Sequence, residues 1–279
     1  MTEASFHAVG VVGRPIEHSL SPLLHRAAFQ EMGLAWTSAA IDAGEGDAQR
    51  IVELMRLEGF RGLSVTMPLK IEIARNVDDL DESANDLGSV NCVTNNGGHL
   101  TGSSTDGDGF LAAIEHQTGF RPHGARAVLA GSGGAARSII SALSRHGVSD
   151  VAVIARSTLA VDELLGLAGG RGRHGTASDV HEADLVIDTT PFGMVGADPS
   201  FSTPLIAPSL THSGQIVADL VYVPRETHWL EECRLQGAEI VGGLGMLVHQ
   251  AALAIEIWTG QSAPVAAMWS AADDAAGRS

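Results

Sequence analysis

Short apolar blocks separated by polar turns run along the chain, and their spacing predicts strands and helices in alternation. In the first hundred residues, blocks of strand length span residues 7–12, 35–41, 62–65, 90–94 and 99–103. Between the second and third blocks, apolar residues repeat at helical spacing over residues 51–57. Ser21-Pro22 predicts a further helix with Ser21 as its N-cap residue, and Asn95-Asn96-Gly97-Gly98 predicts a hairpin turn.

The same alternation continues after Asp106, with strand-length blocks at residues 127–130, 151–155, 185–188 and 215–220. From Gly242 onward the pattern is largely helical. Strand–helix alternation over the whole chain predicts an α/β fold with mainly parallel sheets. Composition does not change along the chain in a way that marks a domain boundary. The domain boundaries predicted near residues 105 and 242 therefore depend on sequence motifs.

A glycine-rich turn joins the strand predicted at residues 127–130 to the helix that follows it. The placement is that of a dinucleotide fingerprint, although Ala136 stands where the third glycine is usual. The first glycine would make the tight turn, the second would admit a pyrophosphate, and the helix N-terminus would attract its charge. The alternative is a glycine-rich loop without a ligand. The residues expected to contact a dinucleotide are Gly131, Ser132, Gly133, Gly134 and Ala135.

The end of the next predicted strand indicates which dinucleotide binds. An NAD enzyme usually has a carboxylate there for the ribose 2′-hydroxyl, whereas this chain has Arg156-Ser157-Thr158. A guanidinium matches a 2′-phosphate, and the Ser157 hydroxyl would assist it. The alternative is an ordinary exposed arginine at a strand end. The pattern favours NADP as the cofactor.

Four polar clusters at predicted strand ends in the first half offer chemistry for a small ligand. They contain Ser19 with Ser21, Lys70, Asn91 and Asp106. Each has an ordinary explanation alone, since Ser21 and Asp106 would serve as helix caps and Lys70 as a solvated side chain. Together they supply hydroxyls, an amide, an ammonium and a carboxylate. This inventory suits a small polyhydroxy acid better than a metal ion or an acyl group.

Composition and charge exclude several classes of protein. Hydrophobic residues make up 44% and charged residues 18%, as in globular rather than disordered chains. A formal net charge of −16 disfavours nucleic acid and anionic membranes as partners. Cys92 and Cys233 are too few for a disulfide framework, and the sequence predicts no metal site. No basic stretch precedes the first apolar run, so we expect no signal peptide, no membrane partner and a cytoplasmic location.

The ordered motifs resemble those of the shikimate dehydrogenase family. Matching segments include Ser-x-Ser-Pro at residues 19–22, Val-Thr-x-Pro-x-Lys at 65–70, Val-Asn at 90–91 and Thr-Asp-Gly-x-Gly at 105–109, and others follow at 190–194, 219–224 and 243–251. The matches run from about residue 9 to residue 260. The resemblance implies two α/β domains. Residues 1–105 would form a substrate domain completed by the helices of 243–279, and residues 106–242 an NADP-binding Rossmann-type domain.

By matched position, the resemblance also implies a role for each site residue. The catalytic pair would be Lys70 and Asp106. The substrate would be held by Ser19, Ser21, Thr66, Asn91, Tyr222 and Gln250. The cofactor would contact the glycine-rich turn, Arg156, Ser157, Thr190, Gly243, Met246 and Leu247. The implied reaction is the reversible NADPH-dependent reduction of 3-dehydroshikimate to shikimate, a step of aromatic amino-acid biosynthesis, carried out by a monomer or homodimer.

Departures from the family pattern keep other functions open. Ser64 and Ser104 stand beside matched residues where asparagine is usual, which allows a paralogue that acts on quinate or an aminoshikimate. Ala155 and Ala160 replace frequent polar residues near the cofactor arginine, which weakens the NADP prediction without reversing it. The alternative from another class is a non-catalytic sensor of a metabolite or dinucleotide. Loss of either member of the catalytic pair would favour a sensor, and both members are present.

Overall fold

The computed structural model describes residues 7–57 and 59–276, and the segment on which the signal-peptide prediction depends lies partly outside them, at residues 1–6. The chain divides into two compact units. Unit 1 is Met1–Gly109 with Val248–Ser279, and unit 2 is Phe110–Leu247. Both divisions between the units fall inside helices, a few residues beyond the predicted domain boundaries near 105 and 242. The assignment of a substrate domain and an NADP domain to the predicted ranges stays a prediction.

Unit 1 is built on a six-stranded mixed sheet. Its strands are β1 (His7–Gly13), β2 (Trp36–Asp42), β3 (Phe60–Val65), β4 (Asp79–Leu80), β5 (Cys92–Asn96) and β6 (His99–Ser103), in the order β2-β1-β3-β5-β6-β4. Strands β2, β1 and β3 are parallel, whereas β5 runs antiparallel to both β3 and β6. The antiparallel pair follows from the predicted turn, because Gly97 and Gly98 adopt the positive φ angles, 65° and 94°, that a two-residue hairpin needs.

Helices cover this sheet on both faces. They are α1 (Ser21–Glu31), α2 (Ala48–Met55), α3 (Lys70–Ala74), α4 (Glu82–Asn85), the start of α5 (Asp106–Thr118), most of α10 (Leu244–Thr259) and α11 (Val265–Ala276). The prediction of Ser21 as N-cap residue is wrong: Leu20 occupies that position, without a side-chain cap, and Ser21 is the first helical residue ahead of Pro22. One face of the sheet packs Leu63, Val65 and their neighbours into a core with α2. On the other face a Cβ at Gly62 would lie 2.3 Å from the Trp258 ring.

Unit 2 is a doubly wound, fully parallel sheet. Its strands are β7 (Arg126–Ala130), β8 (Asp150–Ile154), β9 (Gly172–His174), β10 (Leu185–Asp188), β11 (Ile216–Asp219) and β12 (Glu239–Val241), in the order β12-β11-β10-β7-β8-β9. Its further helices are α6 (Gly134–Arg145), α7 (Thr158–Leu165), α8 (Ala177–Glu182) and α9 (His228–Leu235). The winding reverses between β7 and β10. Open α/β sheets bind ligands beside such a reversal, at the carboxyl ends of the strands.

The predicted strands of both halves are present in the structure, within a residue or two at most ends. Strands β4, β9 and β12 were not predicted, because two or three residues carry too little periodicity to indicate a strand. No helix among the described residues is long and apolar enough to cross a membrane.

Candidate active site

The centre of the site in unit 1 is a pair formed by Lys70 and Asp106. Lys70 Nζ lies 2.5 Å from Asp106 Oδ2, and their side chains are 28% and 12% exposed. Lys70 begins α3 directly after the turn that follows β3, and Asp106 begins α5 after β6. Lys70 is also the only lysine in the chain. A partly buried ammonium held by a carboxylate can give up a proton and can stabilise a developing anion.

Asn91 fixes the orientation of Asp106. It is 4% exposed, and its Nδ2 donates to Asp106 Oδ1 at 2.7 Å and to Thr105 Oγ1 at 2.9 Å. Its Oδ1 accepts from the Thr105 backbone N–H at 2.7 Å. Gln250 joins this network, since Asn91 Nδ2 also reaches Gln250 Oε1 at 3.4 Å. The predicted residues Asn91, Asp106 and Gln250 therefore meet, and Thr105 is a member of the network that sequence reasoning did not assign.

The topology of the mixed sheet gathers these groups at one edge. Strands β1, β3 and β6 run in the same direction, so the loops that follow them leave from the same edge, and antiparallel β5 begins there. Ser19 and Ser21 follow β1, Thr66 and Lys70 follow β3, Asn91 precedes β5 and Asp106 follows β6. The Val65 N–H donates to the Asn91 carbonyl at 2.7 Å across this edge.

The predicted hydroxyl groups are partly covered by the loops that carry them. Ser19 is half-buried, and its Oγ accepts from the Ser21 backbone N–H at 3.3 Å. Ser21 is buried in the first turn of α1. Thr66 is half-buried, and its loop lies against β1 because Gly13 has no side chain: a Cβ there would come within 2.3 Å of Thr66 Cγ2.

In unit 2, the glycine-rich turn lies between β7 and α6, as predicted. Gly131 has φ +111°, and a Cβ on it would lie 2.4 Å from Thr189 Oγ1, so only glycine fits. Gly133 is the N-cap residue of α6 and faces open space, and Gly134 and Ala135 begin that helix. The turn therefore presents the free N–H groups of a helix N-terminus to a ligand.

A cavity of about 350 Å³ opens beside this turn. Its lining includes several predicted cofactor residues, namely Gly131, Ser132, Gly133, Arg156, Ser157 and Thr190. It also includes Ser200, Phe201, Thr203 and Leu205, which sequence reasoning missed because they lie more than forty positions from Arg156 and carry no motif. The volume and the mixed polar and apolar lining suit part of a dinucleotide.

Two contacts hold Arg156 at the mouth of the cavity. Its Nη1 donates to the Ser200 carbonyl at 3.1 Å, and its guanidinium carbon lies 4.2 Å from the centroid of the Phe201 ring. The neighbouring Ser157 is the N-cap residue of α7, and its Oγ accepts a hydrogen bond from the Ala160 N–H at 3.3 Å. Arg156 is thus a positioned, exposed cation beside the glycine-rich turn.

The remaining predicted residues lie at the carboxyl end of β11 and the start of α10. Tyr222 is half-buried, and burial raises the pKa of its phenol. Gly243 passes so close to β11 that a Cβ would lie 2.0 Å from the Leu220 carbonyl oxygen. Met246 packs against the core of unit 2, and Leu247 is half-buried. Among the described residues there is no group of three or more His, Cys, Asp or Glu side chains arranged for a metal ion.

The fold and the turn at Gly131 together define a dinucleotide-binding α/β protein, and comparison with known proteins identifies its family. The model of the shikimate dehydrogenase substrate binding domain matches residues 11–93, and that of the shikimate 5′-dehydrogenase C-terminal domain matches residues 243–272. The shikimate dehydrogenase (NADP(+)) of Methanopyrus kandleri is 39% identical over 276 residues, covering 95% of this chain and 94% of that protein. The chain belongs to the shikimate dehydrogenase family.

Solved structures agree with this assignment. Shikimate 5-dehydrogenase from Thermus thermophilus, in complex with NADP(H) and shikimate, is 33% identical with a TM-score of 0.87, over 96% of this chain and 99% of that chain. Quinate dehydrogenase from Corynebacterium glutamicum, in complex with NAD, is 29% identical with a TM-score of 0.86, over 95% of this chain and 98% of that chain. Both enzymes share the fold described above.

Proposed function

We propose that this chain is an NADP-dependent shikimate dehydrogenase that reversibly reduces 3-dehydroshikimate to shikimate. The observation that carries this proposal is the Lys70–Asp106 hydrogen bond, held by buried Asn91 at the sheet edge where the predicted hydroxyl ligands gather. The M. kandleri relative is named for this activity, and the T. thermophilus structure contains NADP(H) and shikimate. A ring with hydroxyls and a carboxylate matches the donors and acceptors of this edge.

The residues divide the chemistry between them. NADPH, when bound, supplies the hydride. The Lys70 ammonium provides the proton and the positive charge that the developing alkoxide requires. Asp106 accepts a hydrogen bond from the Lys70 ammonium at Oδ2 and one from the Asn91 amide at Oδ1. The two hydrogen bonds together fix the orientation of the carboxylate. In the reverse direction the same pair receives the proton from the substrate hydroxyl.

The 2′-phosphate of NADP is assigned to Arg156. Arg156→Ala should raise the KM for NADP by about 10- to 100-fold, because a charge-assisted hydrogen bond contributes about 1.5–3 kcal/mol. The KM for NAD, which lacks that phosphate, should change little. Arg121→Ala is a matched control, since it removes an exposed arginine of the same unit that pairs with Glu115 instead of lining the cavity. Equal effects of Arg156→Ala on both dinucleotides would refute the assignment.

The role proposed for Ser19 is in binding rather than in proton transfer. Ser19→Ala should raise the KM for shikimate while kcat stays within about twofold, the pattern of a lost binding contact. Steady-state kinetics with saturating NADP measure both constants. Loss of turnover with an unchanged KM would show that the hydroxyl has a different role.

The test of the function is an absorbance assay at the nicotinamide band that crosses shikimate and quinate with NADP and NAD. We expect the pair of shikimate and NADP to give the highest kcat/KM. The competing candidate is a quinate dehydrogenase, favoured by the fold shared with the C. glutamicum enzyme and by Ser64 and Ser104, both buried beside the site. Higher kcat/KM with quinate would establish that candidate. Saturable binding of shikimate and NADP without turnover would indicate a sensor.

We further propose a cytoplasmic location and a monomer or homodimer that acts on small molecules without nucleic-acid or membrane partners. The net charge of −16 supports the absence of polyanionic partners. Light scattering after size exclusion would decide between the two oligomeric states.

A further inference from the structure

Two buried carboxylates lie side by side behind the wall of the cavity in unit 2. Asp188 ends β10, Asp219 ends β11, and the two residues are register partners in adjacent parallel strands. Each is only 1% exposed. Like charges on adjacent buried side chains oppose one another. Neither side chain forms a salt bridge to a described residue that would offset its desolvation.

Each carboxylate holds a segment that shapes the site. Asp188 Oδ1 accepts the Thr190 backbone N–H at 2.8 Å, and Thr190 lines the cavity. Asp219 Oδ2 accepts from Thr227 Oγ1 at 2.7 Å, and Thr227 caps α9. Asp188 is therefore one hydrogen bond away from the cavity lining, at the same carboxyl edge of the sheet as the turn at Gly131.

We propose that Asp188 is a positioning residue for the cofactor and that the Asp188–Asp219 pair takes up a proton when the dinucleotide binds. This inference rests on the proposed function, because the ligand is the dinucleotide of that cavity. The phosphates of the ligand bring negative charge toward Asp188. Their field disfavours the ionised pair, so binding draws a proton from solution while the hydrogen bond to Thr190 persists.

The electrostatic setting places this exchange near neutral pH. Burial and, to a lesser degree, the Asp219 carboxylate raise the pKa of Asp188 to about 7, and burial raises the pKa of Asp219 to about 6. Among the described residues, the Cys233 thiol of α9 also lies in the field of both carboxylates; burial raises its pKa to about 11, so it is neutral at this pH. Because the complex binds more protons than the free protein, affinity for NADP⁺ should fall as pH rises through this range, by at most about tenfold per pH unit for one proton.

Calorimetric titration with NADP⁺ in buffers of different ionisation enthalpy counts the protons directly. At pH 7 we expect the native chain to take up about 0.3–1 proton more than the Asp188→Asn variant takes up. The variant is suitable because its amide oxygen can still accept the Thr190 N–H. Titration of the 2′-phosphate is common to both proteins and cancels in the difference. The matched control is Asp184→Asn, which removes an exposed carboxylate at the opposite end of the same strand and should behave like the native chain.

The outcomes separate this inference from the proposed function. If the native chain binds NADP⁺ with the same proton count as Asp188→Asn, the inference is wrong and the function stands. If the native chain does not bind NADP⁺, the proposed function fails. Should Asp188→Asn not fold, difference infrared spectroscopy of the native chain replaces it. A carboxylic-acid band that grows on addition of NADP⁺ would support proton uptake, and an unchanged band would overturn it.

Discussion

Lys70→Ala is expected to lower kcat by about 100-fold or more, the scale typical of a general acid–base group. The variant loses both the proton and the charge that Lys70 Nζ presents 2.5 Å from Asp106. Affinity for NADP⁺ should be preserved, because the glycine-rich turn at Gly131, where we propose that the phosphates bind, belongs to unit 2. Initial rates and calorimetric titration measure the two quantities. Near-normal turnover in the folded variant would remove Lys70 from the mechanism and favour the sensor.

Chemical rescue sharpens this test, because an ammonium can be rebuilt at position 70 on an introduced cysteine. Alkylation of Lys70→Cys with bromoethylamine rebuilds an ammonium of almost the same length and should restore much of the rate. The native thiols, Cys92 and Cys233, are buried with raised pKa values, so they should react slowly, and the treated native protein is the control.

A double variant tests whether the pair acts as a unit. Asp106→Asn keeps the shape of the side chain and removes its charge, and should itself cost most of the rate. Combined with Lys70→Ala it should cost little more, since groups that act together are not additive. Fully multiplicative losses would mean that Lys70 and Asp106 act independently.

Gly133→Val is expected to weaken NADP⁺ binding by about 100-fold or more, equivalent to about 2.7 kcal/mol, without unfolding the protein. Gly133 has φ −80° and ψ −172°, which any residue adopts, and it faces open space. A side chain there would therefore occupy the position proposed for the pyrophosphate rather than strain the turn. Calorimetric titration and thermal unfolding separate the two effects.

The control for this variant is Gly166→Ala in the same unit. Gly166 also has negative φ and open space around it, but it lies at the end of α7 rather than at the glycine-rich turn. Unchanged affinity in Gly133→Val would mean that the dinucleotide does not approach this turn.

Sequence patterns predicted the parts of the site that depend on local chain geometry. The turn at Gly131 was predictable because a strand, a positive φ and a helix start follow one another within a few residues. Ser21 was misassigned as a cap for the same local reason: serine favours that position, but the helix begins one residue earlier. Lys70 and Asp106 lie 36 positions apart, so their pairing was inferred from the resemblance and became visible only in the folded sheet.

Other features depend on long-range packing and had no signal in the sequence. The contact of Phe201 with Arg156 spans 45 positions, and the register that brings Asp188 beside Asp219 is a property of the assembled sheet. A carboxylate at the end of an apolar strand looks the same in sequence whether solvent or another carboxylate lies next to it. Whether such a carboxylate has a raised pKa depends on its burial and its neighbours, and both are set by the three-dimensional fold.

The most direct test of the proposed activity is the identity of the product formed from 3-dehydroshikimate and NADPH. We predict that nuclear magnetic resonance of the reaction mixture will show shikimate in one-to-one proportion to the NADPH consumed. NADPH consumption no faster than with Lys70→Ala, or a product other than shikimate, would contradict the proposed function.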